Sequence, residues 1–141
     1  HDLAVRYAKC CSPVPGDEIV GFVTRGRGIT IHRTDCINMM NLPEDEKARL
    51  IEAEWQSDNA QETYATELEI FTTNRVGLLV DVSKVLTDAN IDIKSLTSRV
   101  GKNEKATITV SFDIHNKEEL SSLVSKLRKI SGVIDIERAQ G

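Results

Sequence analysis

The sequence predicts an α+β chain of two units, a small α+β unit carrying cysteines and a histidine and then a βαββαβ unit. Three observations lead there. All three cysteines and all three prolines fall within the first 43 residues. A polar stretch without large apolar residues then runs over 56–63. Beyond it, strand and helix periods of apolar residues follow one another in a fixed order. The units are read as 1–57 and 66–141, joined by a linker over 58–65.

The second unit is the more regular. Residues 66–73 alternate, with Leu68 and Ile70 on one face, and predict a strand. Residues 77–89 carry Leu78, Leu79, Val82, Val85, Leu86 and Ala89 at helical spacing, and Asn90 closes that helix in a left-handed conformation. A strand over 91–100 and a Gly-Lys-Asn-Glu turn over 101–104 come next. In 105–115, Ala106, Ile108, Val110, Phe112 and Ile114 face inward, while Thr107, Thr109, Ser111 and Asp113 face outward. Asn116 and Glu119 have capping-box spacing. Leu120, Leu123, Val124, Leu127 and Ile130 mark a second helix, Gly132 ends it, and 133–138 form the last strand. The order is the ferredoxin-like split βαβ motif, with both helices on one face of four strands. RNA-recognition motifs share it but stack bases on exposed aromatics; the polar outward face of 105–115 lacks that platform.

In the first unit, Pro13, Pro15 and Gly16 make an extended turn. Strands are expected over 19–24 and 29–32, joined by the Gly-rich tip Arg25-Gly26-Arg27-Gly28. Asp35 is placed to cap a short helix over 37–42, and 49–55 alternates imperfectly as a further strand ending at Trp55. The core of this unit is thin.

Composition bounds the function. Charged residues make up 28% and hydrophobic ones 40%, so the chain folds, but aromatics are only 4% and the core is aliphatic. A net charge of -4 argues against nucleic-acid binding through bulk charge and leaves only a local basic cluster for it. No apolar run is long enough to span a bilayer and no signal peptide is visible. Three cysteines, two of them adjacent, make a poor disulfide framework, so a reducing cytoplasm is expected.

Cys10, Cys11, His32 and Cys36 are the soft ligands of the first unit. A hairpin folding back at 25–28 returns His32 towards the residues after Cys11, and Cys36 follows four positions on. Three thiolates and an imidazole suit a closed tetrahedral zinc site that would staple a unit with little core. Adjacent cysteines depart from the usual C-x₂₋₄-C spacing, and both can reach one ion only through a tight turn. Two readings stand beside zinc. One is small buried cysteines with a satisfied strand histidine. The other is a catalytic Cys10 or Cys36 with His32 as base, for which no oxyanion loop and no orienting carboxylate beyond Asp35 is visible.

Two further clusters stand out. Arg25, Arg27 and Arg33 surround glycines that permit close approach to RNA phosphates; the alternative is a solvated turn. The loop from Asn74 through Val76, Gly77, Leu78 and Leu79 opens the first helix of the second unit, where unpaired N–H groups can meet a carboxylate. Ile91 and Ile93 could border the apolar side chain of a small amino acid; the alternative is a tight helix entry without a ligand.

Residues 5–36, VRYAKCCSPVPGDEIVGFVTRGRGITIHRTDC, resemble the conserved-cysteine domain of long RelA/SpoT homologues, also called the ribosome-intersubunit or zinc-finger domain, and RLIEAEW follows. Residues 66–141, with NRVGLL near their start, resemble the ACT domain that follows it at the C-terminus. The resemblance implies that Cys10, Cys11, His32 and Cys36 hold a structural zinc. It implies that Arg25, Arg27 and Arg33 contact ribosomal RNA, in a parent protein that binds the ribosome with uncharged tRNA. It also implies that Asn74, Val76, Gly77, Leu78, Leu79, Ile91 and Ile93 sense a branched-chain amino acid, and that the ACT unit self-associates. The metal-binding His-Asp motif of the parent hydrolase needs a helical domain; His1-Asp2 is a lone dipeptide, and no nucleotide-binding Gly-rich loop with its lysine is present. The expected role is that of a non-catalytic regulatory fragment of a bifunctional (p)ppGpp synthetase/hydrolase. The alternative is an ACT-mediated dimerisation or protein-docking module without ligand sensing.

Overall fold

A computed structural model describes residues 4–56 and 61–138, which form two four-stranded sheets. His1, Asp2 and positions 58–60 of the expected linker lie outside the described residues.

In the first sheet, β1 (Val5–Tyr7), β2 (Ile19–Val23), β3 (Ile29–Arg33) and β4 (Leu50–Glu52) take the order β1-β3-β2-β4. The expected hairpin is present: β2 and β3 are antiparallel from Val23↔Ile29 to Ile19↔Arg33. Gly28 is required at its tip, because its φ is +84° and a Cβ there would collide with the backbone carbonyl of Ala4. β1 runs parallel to β3, a pairing too short for any sequence period to reveal. The strand expected over 49–55 shrinks to β4, because a 3₁₀ turn (Glu44–Arg49) uses the residues before it. Trp55 leaves the sheet and its indole N–H donates to the Asp17 carbonyl at 3.0 Å. The short helix α1 (Ile37–Met40) starts after Cys36 rather than Asp35. Asp35 does not cap it, since its carboxylate accepts from Arg33 Nε at 3.0 Å.

The second sheet contains β5 (Tyr64–Thr73), β6 (Ile93–Val100), β7 (Lys105–Ile114) and β8 (Val133–Arg138), with helices α2 (Leu78–Asp88) and α3 (Lys117–Arg128). Its order, β6-β7-β5-β8, is that of the ferredoxin-like fold. The alternating residues of β7 and the apolar stripes of both helices meet in one core built around Leu68, Ile70, Val110, Phe112, Leu86 and Leu123. The expected turns have their special backbones: Asn90 at φ 62°, Asn103 at 64° and Glu104 at 56°. Asn116 accepts from the Glu119 N–H at 2.8 Å, as a capping box requires. The return bond differs, because Glu119 accepts from the His115 N–H at 2.7 Å, one residue earlier.

The second core also takes in a residue of the first unit. Val14 is fully buried within it, and the Lys117 N–H donates to the Pro15 carbonyl at 2.7 Å. Beside this plug, Arg138 makes a two-pronged bond to Asp17, both contacts at 2.8 Å, and Arg138 Nη2 also donates to the Ser12 carbonyl at 3.0 Å. Tyr7, Trp55 and Tyr64 add a cluster of rings with centroids 5.3 to 5.6 Å apart.

Burial alone would raise the Asp17 carboxyl. The bonds from Arg138 and the Val14 N–H, with the charges of Arg138 and Arg33, together outweigh it and hold the group below its usual 3.8. Removing one partner of a buried pair leaves an uncompensated charge, so Asp17→Ala should lower the unfolding free energy by about 3 kcal/mol in urea titration. A folded carboxyl that titrates below its free value contributes stability that is complete above the free value and lost as pH falls through the folded one. Between about pH 5 and pH 3 the parent chain should therefore lose more stability than Asp17→Asn does.

Candidate functional site

The four soft ligands converge. β3 delivers His32, whose partner in the hairpin is Val20, and Cys36 stands at the entry to α1. Cys10 and Cys11 arrive on a turn closed by the Ser12 N–H on the Ala8 carbonyl at 2.9 Å, with Ser12 at φ 47°. That is the tight turn needed for neighbouring cysteines to face one point. Cys10 Sγ lies 3.4 Å from His32 Nδ1 and 3.6 Å from Cys36 Sγ, and Cys11 Sγ lies 3.8 Å from His32 Nδ1. All four donor atoms fall within 4.8 Å of one another.

These separations can be set against a tetrahedral ion. Zn–S and Zn–N bonds of about 2.3 and 2.0 Å give tetrahedral edges of about 3.8 Å between sulfurs and about 3.5 Å between sulfur and nitrogen. The donor set fits zinc in chemistry, and three of its separations lie close to those edges. Burial pushes the Cys11 thiol up to about 12, the Arg33 N–H opposes the rise, and the neighbouring Cys10 and Cys36 add to it. A cation at the centre would reverse that balance, and the Arg33 N–H on Cys11 Sγ, at 3.3 Å, is already placed to support a thiolate. Burial lowers the His32 imidazole, which favours the neutral form that ligates. The catalytic reading loses its orienting group, since the Asp35 carboxylate is engaged by Arg33.

The three arginines separate. Arg25 and Arg27 are exposed at the hairpin tip. Arg33 sits at the far end of β3, is only 3% exposed, and pairs with Asp35. It braces the turn after β3 instead of joining the tip.

The amino-acid residues also divide. Asn74, Gly77, Leu78 and Leu79 line a cavity of about 180 Å³ between β5 and α2. Val76 points away and is 98% exposed. Ile91 belongs to the core, and Ile93 packs against it across from Phe112 of β7, at the opposite end of the sheet from Asn74. Antiparallel register explains this: Thr73, the last residue of β5, pairs with Lys105, and the neighbouring Ala106 pairs with Val100, the last residue of β6. One chain therefore cannot wrap all seven around one small molecule. Sequence reasoning also missed Arg75, which donates to the Ser131 carbonyl at 2.7 Å and to Asp81 at 2.6 Å, strapping the loop to the turn before β8. Its position beside Gly77 and its charge were the available signals.

Comparison with known proteins agrees with both units. The family model described as the RelA/SpoT RIS domain matches residues 1–56, and the ACT domain model matches 60–138. The chain belongs to the RelA/SpoT family. The GTP pyrophosphokinase of Haemophilus influenzae is 38% identical over 138 residues, 97% of this chain and 18% of that protein. Those of Streptomyces coelicolor and Escherichia coli K12 are 35% and 36% identical, covering 98% and 99% of this chain and 16% and 19% of theirs. This RelA/SpoT chain thus spans less than a fifth of the curated relatives it matches. Among solved structures, the ACT domain from the GTP pyrophosphokinase of Chlorobium tepidum is 22% identical, with a TM-score of 0.49 over 55% of this chain and 99% of that one. The Cys/His cluster lies in the RIS unit and the Asn74 loop in the ACT unit. No helix among the described residues is long and apolar enough to cross a membrane.

Proposed function

We propose that this RIS–ACT stretch is a non-catalytic regulatory part of a cytoplasmic (p)ppGpp synthetase/hydrolase of the stringent response. In this reading it relays ribosome and uncharged-tRNA status, and branched-chain amino-acid status, to catalytic domains elsewhere in the protein. The observation that carries the reading is the alignment with GTP pyrophosphokinases along nearly the whole chain, over two units that both match regulatory domain models.

Within this role, Cys10, Cys11, His32 and Cys36 hold a structural zinc, supported by the buried donor set and its tetrahedral spacing. Bound there, an ion would staple a unit with little core; the chain's own residues close the turn and donate to Cys11, and burial favours the neutral imidazole. The RNA contact belongs to Arg25 and Arg27, whose forked donors project from a glycine tip, while Arg33 positions the turn after β3.

The seven ACT residues lie at two ends of one sheet, which supports an amino-acid cleft completed by a second copy of the ACT unit. A specific observation also favours dimerisation or docking without a ligand. Arg75 and Asp81 already occupy the charge near the α2 N-terminus, and Val76, Leu79 and Val80 expose an apolar surface there.

Elemental analysis should find one zinc per chain, and Cys36→Ser should lose it and lower the stability of the RIS unit by several kcal/mol; a metal-free chain with undiminished stability would remove the staple. In the full-length protein, Arg25→Glu with Arg27→Glu should weaken ribosome binding by about tenfold or more and flatten its salt dependence. Unchanged binding would assign the contact elsewhere. Calorimetry with valine, leucine and isoleucine should show saturable heat tied to a dimer; no heat up to about millimolar ligand, a Kd limit near -4 kcal/mol, would leave the docking reading in its place.

A further inference from the structure

Among the described residues, the groove on one face of the first sheet is lined by no helix. The register sets a row across all four strands: Tyr7 beside Ile31, Ile31 opposite Gly21, and Gly21 opposite Ile51. Gly21 lets the side chains of Ile51 and Ile29 close over the middle of this row. A Cβ there would come within 2.8 Å of Ile51 Cγ1, so the branched side chain of Ile51 lies where a larger residue would stand. The result is a groove of about 470 Å³ that runs to the start of β5. Its apolar walls remain open to solvent, with Val5 56%, Tyr7 46% and Ile51 40% exposed.

The rim has one sign of charge. Glu52, Glu54 and Glu62 line the groove, and no lysine, arginine or histidine among the described residues does. At the end towards the ACT unit stand Tyr7 and Trp55, stacked within 10° of parallel, with Tyr64 edge-on to both. Aromatic faces beside carboxylates attract a cation through the ring quadrupole and the charge together. The same carboxylates repel phosphate, so this face is unsuited to RNA and electrostatically opposite to the Arg25–Arg27 tip.

We propose that the groove is a docking site for a protein segment that alternates basic and apolar side chains. Its apolar side chains lie against Val5, Ile29 and Ile51. An arginine or lysine lies against Trp55 and Tyr7 with Glu54 beside it. The inference concerns a surface distinct from the Cys/His cluster and from the Asn74 loop, and it stands whichever ligand those take.

Trp55 is the only tryptophan, so its emission reports the groove. The 141-residue chain is titrated with a synthetic peptide alternating leucine and arginine. A leucine–glutamate peptide and a single-stranded RNA oligonucleotide serve as controls. The expected result is a saturable change in Trp55 emission with the arginine peptide alone, weakened by salt. Glu54→Lys should weaken it several-fold, and Ile51→Asp should weaken it too. Glu54 is exposed, and circular dichroism checks that the variants are folded. Equal affinity in the folded glutamate variant overturns the proposal, as does an equal response to the acidic peptide or to RNA. An emission change that depends on protein concentration alone and disappears in Ile51→Asp also overturns it, by assigning the groove to a second copy.

Discussion

The buried pair between Asp17 and Arg138 holds the two units in one arrangement. Both bonds are 2.8 Å long, and they join residues 121 positions apart. A carboxylate with so little access to water persists as an ion because Arg138 from β8 and the Val14 N–H from its own turn donate to it, and the more distant charge of Arg33 favours it. Around this pair Val14 enters the ACT core, and Trp55 donates to the Asp17 backbone. The ACT core is therefore completed by a segment of the RIS unit.

That segment begins at the candidate metal centre. From Cys11 the chain passes through the strained Ser12, whose carbonyl accepts from Arg138, to Pro13 and the buried Val14. On the other side, Cys11 Sγ accepts from the N–H of Arg33, whose side-chain charge acts on Asp17. One short covalent path and one hydrogen bond thus connect Cys11 to the unit junction.

Legibility in the sequence followed the range of the interaction. The ACT elements were readable because each is a local period: the inward face of β7, the stripe of α3, and Asn116 with Glu119 all lie within one element. The Cys/His cluster was readable because a hairpin turn at Gly26 and Gly28 returns His32 to a predictable level. What escaped depends on partners that sequence distance hides. β1 is three residues long and is a strand only because β3 lies beside it. Arg33 looked like Arg25 and Arg27, yet it lies at the buried end of β3, where it pairs with Asp35. Ile91 and Ile93 looked like one pocket with Gly77, yet antiparallel pairing carries them to the other end of the sheet.

The net charge of -4 also conceals a division that composition cannot express. The RIS hairpin ends in two exposed arginines among glycines, while the opposite, apolar face of the same sheet is edged by glutamates. Desolvation makes that segregation consequential. A phosphate backbone gains counterion release only where cations cluster, and it is repelled where carboxylates line an apolar floor. Since both surfaces belong to strands fixed by the same hairpin register, a partner held at one end sets the orientation of whatever meets the other. The Arg138–Asp17 pair then places the ACT loop relative to both. One unit of fewer than 60 residues therefore carries a basic tip and an acid-rimmed apolar groove at fixed separation, with Gly28 keeping the tip against the chain at Ala4.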